Sequence, residues 1–478
     1  MTKRQPGILV SSSNAARSAR GKLGASGYSY NILIEQFTPL LQRWGKVIRV
    51  NDPQLGLDAE VEKVRRRNLD PIHFAFAPLQ DVFLAQSAPN VVLPMWEFPN
   101  IPDHAFNNDP QNDWVAMSAK CDGLIVSGPF TEQSFRSAGV DVPIHIVPVP
   151  TPQKYYQIPT WKAEDTSVID CPSYVFSNVN IKLEEIYPPP EETRPGVSRT
   201  LKSIVRWGVK KAASVIPADL RSRLASVYDC GRWAWDMRER TVRPHDANMN
   251  LHGVVYTSIL NPQDDRKNWQ DMLTGFLFAL GDCADATLVV KLVSADAEQL
   301  NRVIRFYEKM CLSHRCQVIF VADYLTDEQM LQLTTASTYY VATSRAEGSC
   351  LPLMNFLAAG RPAVSPRHTA ISDYFDEEIG FVVDSHPEPT AFPHDPRWRK
   401  TTTWHRLVWT SLVDQLRESY RVAKESHGVY ASLAQRARER VELWSSAENV
   451  WPRLESALEQ VAGCCPASAA WEKGVAAA

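Results

Sequence analysis

Nine cysteines in 478 residues form no C-x-x-C pair, and nine is an odd number. That speaks against a disulfide framework and suits a reducing compartment, where thiols stay free. Long apolar runs are missing too: none approaches transmembrane length, and the apolar stretch in the opening MTKRQPGILVSSS is too short for a signal peptide. A cytoplasmic location is the expectation. Neither sign of charge dominates, since 51 Lys and Arg against 54 Asp and Glu leave a net charge of −3. Such a surface has no general attraction for nucleic acid, so no nucleic-acid partner is expected. There is no tandem repeat. What is present is the ordinary mix of a globular protein, 44% hydrophobic and 22% charged, in a chain long enough for two or more domains.

Alternation of strand and helix organises most of the chain. PGILVSSS reads as a buried strand, followed by a small-residue loop that carries Gly24 and Gly27, and a helix over about Tyr28 to Trp44. KVIRV, IHFAF, NVVLPMW, GLIVSG and IHIVPV read as further strands. Between about Lys154 and Leu251 the alternation stops, prolines cluster in YPPPEETRPG, and a basic helical stretch follows. It resumes with GVVYTSIL, ATLVVKLV, CQVIFVA and TYYVATS, each strand followed by a helical or turn-rich segment. The last hundred residues read as helical. The expected fold class is α/β, with two doubly wound, Rossmann-like domains facing across a cleft and a C-terminal helical extension. The expected boundaries are a first domain over 1–153, an irregular insertion over 154–250, a second domain over 251–430, crossover helices over 431–462 and a tail over 463–478.

Ligands in such sheets sit at the carboxyl ends of the strands, so the segments there are the candidates. NPQDDRKNW supplies Arg266 and Lys267, a cation pair fit for phosphate oxygens. VADYLTDEQ supplies Tyr324 to flank a flat base. SRAEGSCLPLMNFLAAGRPAVSP runs from a strand through a tight turn into a helix start, where unpaired backbone N–H groups suit a diphosphate. It also places Glu347, an anion, beside that anion site.

These segments resemble the retaining GT-B glycosyltransferases of the group-1 type, most strongly over about Val254 to Val383 and in LWSSAENVWPRLESAL. The resemblance implies a nucleotide-diphosphate-sugar donor and transfer with retention of anomeric configuration. It places Arg266 and Lys267 on the diphosphate, with Gly348 and the backbone of Ser349, Cys350 and Leu351. It puts Tyr324 at the base, Glu347 beside the transferred sugar as the catalytic-site carboxylate, and Gly27 in a first loop that approaches the donor. The family has a second glutamate eight positions after the first, for the ribose; here that position is Asn355, a departure. No D-x-D segment of the metal-dependent sugar transferases is found, so no cofactor and no metal are expected. In MWEFPNIPDHAF, the Trp–Glu pair followed by proline is similar to the family, which implies an acceptor side built from Trp96 and Glu97, with His104 as a further candidate.

Each assignment has a plainer alternative: a buried Trp96 with a paired Glu97, a solvated Arg266–Lys267 pair, a surface Asn355. From Arg199 to Ile216, Arg199, Lys202, Arg206 and Lys210 share a face opposite an apolar one. That pattern fits either a packed insertion helix or peripheral contact with an anionic membrane. The expected partners are a nucleotide sugar and a glycan or lipid-linked saccharide acceptor, in bacterial surface polysaccharide or similar glycan synthesis. The rival readings are a non-catalytic relative acting as partner subunit or glycan-binding module, and a sugar-nucleotide epimerase or hydrolase.

Overall fold

The computed structural model describes residues 5–12, 28–163, 165–181, 248–294 and 296–463. The Gly24 and Gly27 loop, the basic stretch Arg199–Ile216 and all but the first residue of the tail lie outside them.

The first domain is a six-stranded parallel sheet of β1 (Pro6–Ser12), β2 (Lys46–Arg49), β3 (Asp70–Phe76), β4 (Asn90–Leu93), β5 (Gly123–Val126) and β6 (Ile144–Ile146). Its spatial order is β2-β1-β3-β4-β5-β6. The apolar runs of β3, β4 and β5 are buried on both faces, as the centre of a helix-covered parallel sheet requires. The helix expected over Tyr28–Trp44 forms there and packs Leu33, Phe37, Leu40 and Leu41 against β1 and β3.

The segment read as an irregular insertion is partly strand. β7 (Ser167–Ile169) pairs antiparallel with β9 (Met249–Leu251), and β8 (Tyr174–Val179) joins the second sheet as an antiparallel edge strand against β12 (His314–Val321). The other members are β10 (Val254–Leu260), β11 (Ala286–Leu292), β13 (Tyr339–Val341), β14 (Ala363–Pro366) and β15 (Gly380–Val383), in the order β15-β14-β13-β10-β11-β12-β8. The strand order reverses between β10 and β13. That is the switch point, where loops from neighbouring strand ends part and leave a crevice.

The C-terminal part is not all helix. β16 (Ser385–Thr390) and β17 (Thr402–Leu407) form a two-stranded ribbon. Its first strand, SHPEPT, holds Pro387 and Pro389, which hide it from a propensity reading. A two-stranded ribbon tolerates them, because prolines at alternate positions turn the same side outward, where no partner needs a donor. The ribbon's loop delivers Phe392 into the aromatic core of the first domain. The helices Trp409–Glu425 and His427–Ser445 pack on the second domain, whereas Ala447–Gly463 crosses over and buries Val450, Leu454, Leu458 and Val461 in the first. Among the described residues no helix is long and apolar enough to cross a membrane.

Candidate functional site

The loops leaving β10 and β13 build one wall of a cleft of ≈ 1060 Å³ between the domains. After β13 the chain turns at Cys350, left-handed at φ 56°, into the helix Leu351–Ala358. That helix is anchored by Leu353, Met354, Phe356 and Leu357, each buried and each worth roughly 1.5–3 kcal/mol. No side chain caps its N-terminus, and Gly348, Ser349, Cys350 and Leu351 border the cleft there. Pro352 in the first turn has no N–H, so the remaining N–H groups of the turn Gly348–Leu351 are the ones that can meet a ligand there. Gly360 ends the helix at φ +66°, where a Cβ would lie 3.3 Å from the Ala434 carbonyl of the helix His427–Ser445.

After β10, Asp264 accepts the Arg266 N–H at 3.1 Å and sets the short turn Asp265–Lys267. The two cations of this turn are not free. Arg266 gives Nη2 to Asp264 at 2.8 Å, and Nη1 to Glu97 of the other domain at 2.8 Å and to the Ala346 carbonyl at 3.2 Å. Lys267 Nζ meets Glu347 Oε1 at 2.5 Å, and Ser344 Oγ donates to that same oxygen at 2.5 Å. Glu347 is buried. The anion at the anion site is therefore held by the neighbouring lysine. The sequence reading gave both cations to a diphosphate and Glu97 to an acceptor; in the structure Arg266 binds Glu97 and Lys267 binds Glu347. Two cations face three carboxylates, Asp264, Glu97 and Glu347.

Burial works against every charge in this cluster, and the partners decide the outcome. Burial lifts the Glu97 carboxyl above its ordinary value, with Arg266 pulling the other way. For Asp264 the pull of Arg266 and Lys267 overcomes burial and holds it below the usual carboxylate range. Lys267, despite burial, is held above its ordinary value by Glu347. Arg266 is raised likewise by Glu97 and Asp264.

Backbone strain gathers around the same pair. Asn268 (φ 48°), Cys350 (φ 56°) and Thr369 (φ 50°) are non-glycine residues in the left-handed region. A β-branched residue there costs on the order of 1–3 kcal/mol and persists only where its surroundings enforce it. Thr369 earns its place by accepting the Glu347 N–H on Oγ1 at 3.0 Å, and Thr343 Oγ1 donates to the Lys267 carbonyl at 3.1 Å.

Two glycines let the domains meet. A Cβ on Gly348 would lie 3.0 Å from the Trp96 carbonyl, and Ser127 Oγ donates to the Gly348 carbonyl at 2.6 Å. A Cβ on Gly128 would lie 2.1 Å from Asp373 Oδ2. Asp373, from the second domain, accepts the Phe130 N–H at 3.3 Å at the start of the helix Pro129–Ser137 in the first. Burial pushes the Asp373 carboxyl up to about 6, against that hydrogen bond.

Tyr324 and Asn355 border the cleft, both half-buried. Trp96 borders it too, but its indole is packed: Trp114 lies at 4.3 Å, Phe98 and Phe392 at 5.3 Å, and Nε1 donates to the Asn100 carbonyl at 2.9 Å. His104 is not among the cleft residues. Half of it is exposed, and it pairs with Asp103 at 2.9 Å and lies 3.2 Å from Arg397 Nη2. Among the described residues no group of three or more His, Cys, Asp or Glu is arranged to hold a metal ion. The sequence reading missed Asp264, Thr369 and the buried Lys291. Only Lys291 left a visible signal, as a lone cation in an apolar strand.

No family model and no curated protein matches the chain. Solved structures do match in fold. Sucrose-phosphate synthase from Thermosynechococcus elongatus aligns with a TM-score of 0.53 and 14% identity, over 97% of this chain and 100% of the other. A glycosyltransferase from Rickettsia africae gives 0.51 at 10% identity, over 97% and 100%. HepE of Anabaena, solved with UDP and glucose, gives 0.50 at 12% identity, over 95% and 99%. With the two switch-point sheets and the helix that crosses back, these likenesses establish that the chain has the two-domain GT-B fold of glycosyltransferases.

Proposed function

We propose that the chain is a nucleotide-sugar-dependent glycosyltransferase, acting with retention on a glycan or lipid-linked saccharide acceptor in surface polysaccharide or similar glycan synthesis. The observation that carries the reading is the Lys267–Glu347 pair beside an uncapped helix N-terminus at the switch point. The helix N-terminus and Lys267 receive the donor diphosphate. As the bond from the anomeric carbon to the phosphate oxygen breaks, Lys267 follows the charge growing on the leaving group. Glu347, released from Lys267, supports the positive character on the sugar and bonds its hydroxyls. The acceptor oxygen forms its bond on the face the phosphate leaves, and its proton passes to a phosphate oxygen. Arg266 stays bound to Glu97 and keeps the two walls together. Lys267 and the helix N-terminus take the part a metal would otherwise play, and no cofactor is invoked. Asn355 is assigned to the ribose in place of the family's glutamate, and Gly27 to the donor side. Arg199–Ile216 is assigned to weak, salt-sensitive contact with anionic membrane on the cytoplasmic face, which vesicle co-sedimentation at low salt checks.

The experiment is a donor panel assayed in EDTA with saccharide acceptors, reading nucleoside diphosphate release and the anomer of the product. Release that requires acceptor, with retained configuration, supports the reading. Release without acceptor favours a hydrolase, and isomerised sugar nucleotide an epimerase. No turnover with any donor favours a non-catalytic relative.

A further inference from the structure

Lys291 has no task in the mechanism above, and its position is an expensive one. It is the only charged residue in β11, whose seven residues are all buried, and its own exposure is 4%. Burying an ammonium is costly unless it is paired and hydrogen-bonded. Its Nζ donates to the Leu292 carbonyl at 2.7 Å. An ammonium has three donors, and no carboxylate among the described residues forms a salt bridge with it. Burial pushes it down to about 8, with Cys171 and Asp323 pulling the other way.

Its place in the cleft is fixed by strand geometry. Leu288, Val290 and Leu292 face the core beneath the helices Trp269–Leu280 and Ala297–Lys309. Val289 packs on the opposite face with Val321, Leu325 and Leu333. Side chains alternate along a strand, so Lys291 shares the face of Val289, which the helix Asp327–Ala336 covers. The register sets it between Ile259 on β10 and Val321 on β12, and it borders the cleft with Tyr324 and Met330. Across the sheet the order is β13, β10, β11, β12. The Glu347 turn leaves β13, the Lys267 turn leaves β10, and Lys291 is the last residue but one of the next strand out. Strands are about 4.8 Å apart, which sets Lys291 roughly 5–10 Å along the sheet from the diphosphate site. A ribose and a base, reaching to the base's O4 or O6 edge, span that interval.

Resting on the nucleotide-sugar reading, we propose that Lys291 donates a hydrogen bond to the O4 carbonyl of uracil or the O6 carbonyl of guanine in the donor's base, so that the site takes these keto bases and rejects their amino counterparts cytosine and adenine. The chemistry is one-directional. An ammonium only donates. Uracil and guanine present a carbonyl oxygen where cytosine and adenine present an amino group, itself a donor. The amino base would leave the buried cation facing hydrogens, with its water already stripped away.

The test titrates the wild type and Lys291→Met with UDP, CDP, GDP, ADP and inorganic pyrophosphate as a base-free probe. The wild type is expected to prefer the keto member of the pair that fits, UDP over CDP or GDP over ADP, by roughly 10- to 100-fold, the range of a hydrogen bond to a charged group. In Lys291→Met the ratio should collapse to within about twofold, with pyrophosphate binding and melting temperature not reduced. Should methionine fail to fold, Lys291→Gln gives the same comparison without the charge. A ratio unchanged in the variant, or a wild type that prefers CDP or ADP, overturns the assignment and leaves Lys291 a purely structural cation. A wild type that binds pyrophosphate but none of the four nucleotides is a different result: the nucleotide-sugar reading fails, and this inference falls with it.

Discussion

The carboxyl ends of the two sheets make an instructive pair. On the second sheet, the turns after β10 and β13 bring Lys267 and Glu347 within hydrogen-bond distance, beside a helix N-terminus that no side chain caps. On the first sheet, the segment after β4 spends Trp96 on an aromatic core, ties Glu97 to Arg266 across the cleft and leaves His104 outside it. Paired charges are concentrated in one wall, whereas the other contributes Glu97 and aromatic packing. Residue types at strand ends are therefore evidence of a site only once their pairing is known. In the structure the tryptophan of a promising segment is packed and its histidine lies at the surface, while a glutamate beside cations is buried at the switch point.

The contrast is broken most severely at Glu347. Glu347→Gln should lower transfer by about 10²- to 10³-fold, the scale seen when one preorganised electrostatic group is removed. From the sequence alone the substitution looks thermally silent. The structure says otherwise, because it strands the mostly buried Lys267 without its counter-charge. Melting should fall, and adding Lys267→Met should restore melting but not transfer. Near wild-type turnover in Glu347→Gln would dissolve the difference between the walls.

On the other wall the large effect should be on stability. Trp96→Ala should cost about 3–5 kcal/mol in denaturant unfolding, while Trp96→Phe should leave the acceptor KM within about twofold. A marked KM rise in the phenylalanine variant would return Trp96 to sugar recognition.

Asp373 tests the contact between the walls. Its carboxyl is raised from 3.8 to about 6, so the folded state holds the proton more tightly than the unfolded one. The associated stability is fully present below about pH 4 and is lost as pH rises through 6. Asp264, held low by Arg266, has the opposite sign, its contribution fading on acidification through its depressed value. Asp373→Asn should flatten the pH dependence of melting between 4 and 6 and raise melting at pH 7. An unchanged profile would show that this contact is already solvated. The smallest effect should come from His104→Ala, with transfer within about twofold of wild type; a large loss would bring His104 back into the cleft.

Most of the architecture was legible because its signals are local. The apolar runs of β1, β3, β10, β11 and β12 bounded by turn residues, and Gly360 closing the helix after Pro352, state their structure within a few residues. β16 was illegible because Pro387 and Pro389 contradict strand propensity, and β8 because an edge strand is only half-buried. The Arg266–Glu97 and Asp373–Phe130 contacts join segments from different domains, and no periodicity reports such pairings. The reasons for Asn268, Cys350 and Thr369 in left-handed backbone are likewise tertiary.

The most direct measurement is calorimetric titration of wild type and Lys267→Glu with a nucleoside diphosphate and with the parent nucleoside. The wild type should bind the diphosphate far more tightly than the nucleoside. Lys267→Glu should lose most of that increment and keep the nucleoside affinity, because Lys267 and the helix N-terminus act on the diphosphate alone. Equal affinity for nucleoside and diphosphate in the wild type, or an undiminished increment in Lys267→Glu, would contradict the assignment of this wall to a nucleotide-sugar donor.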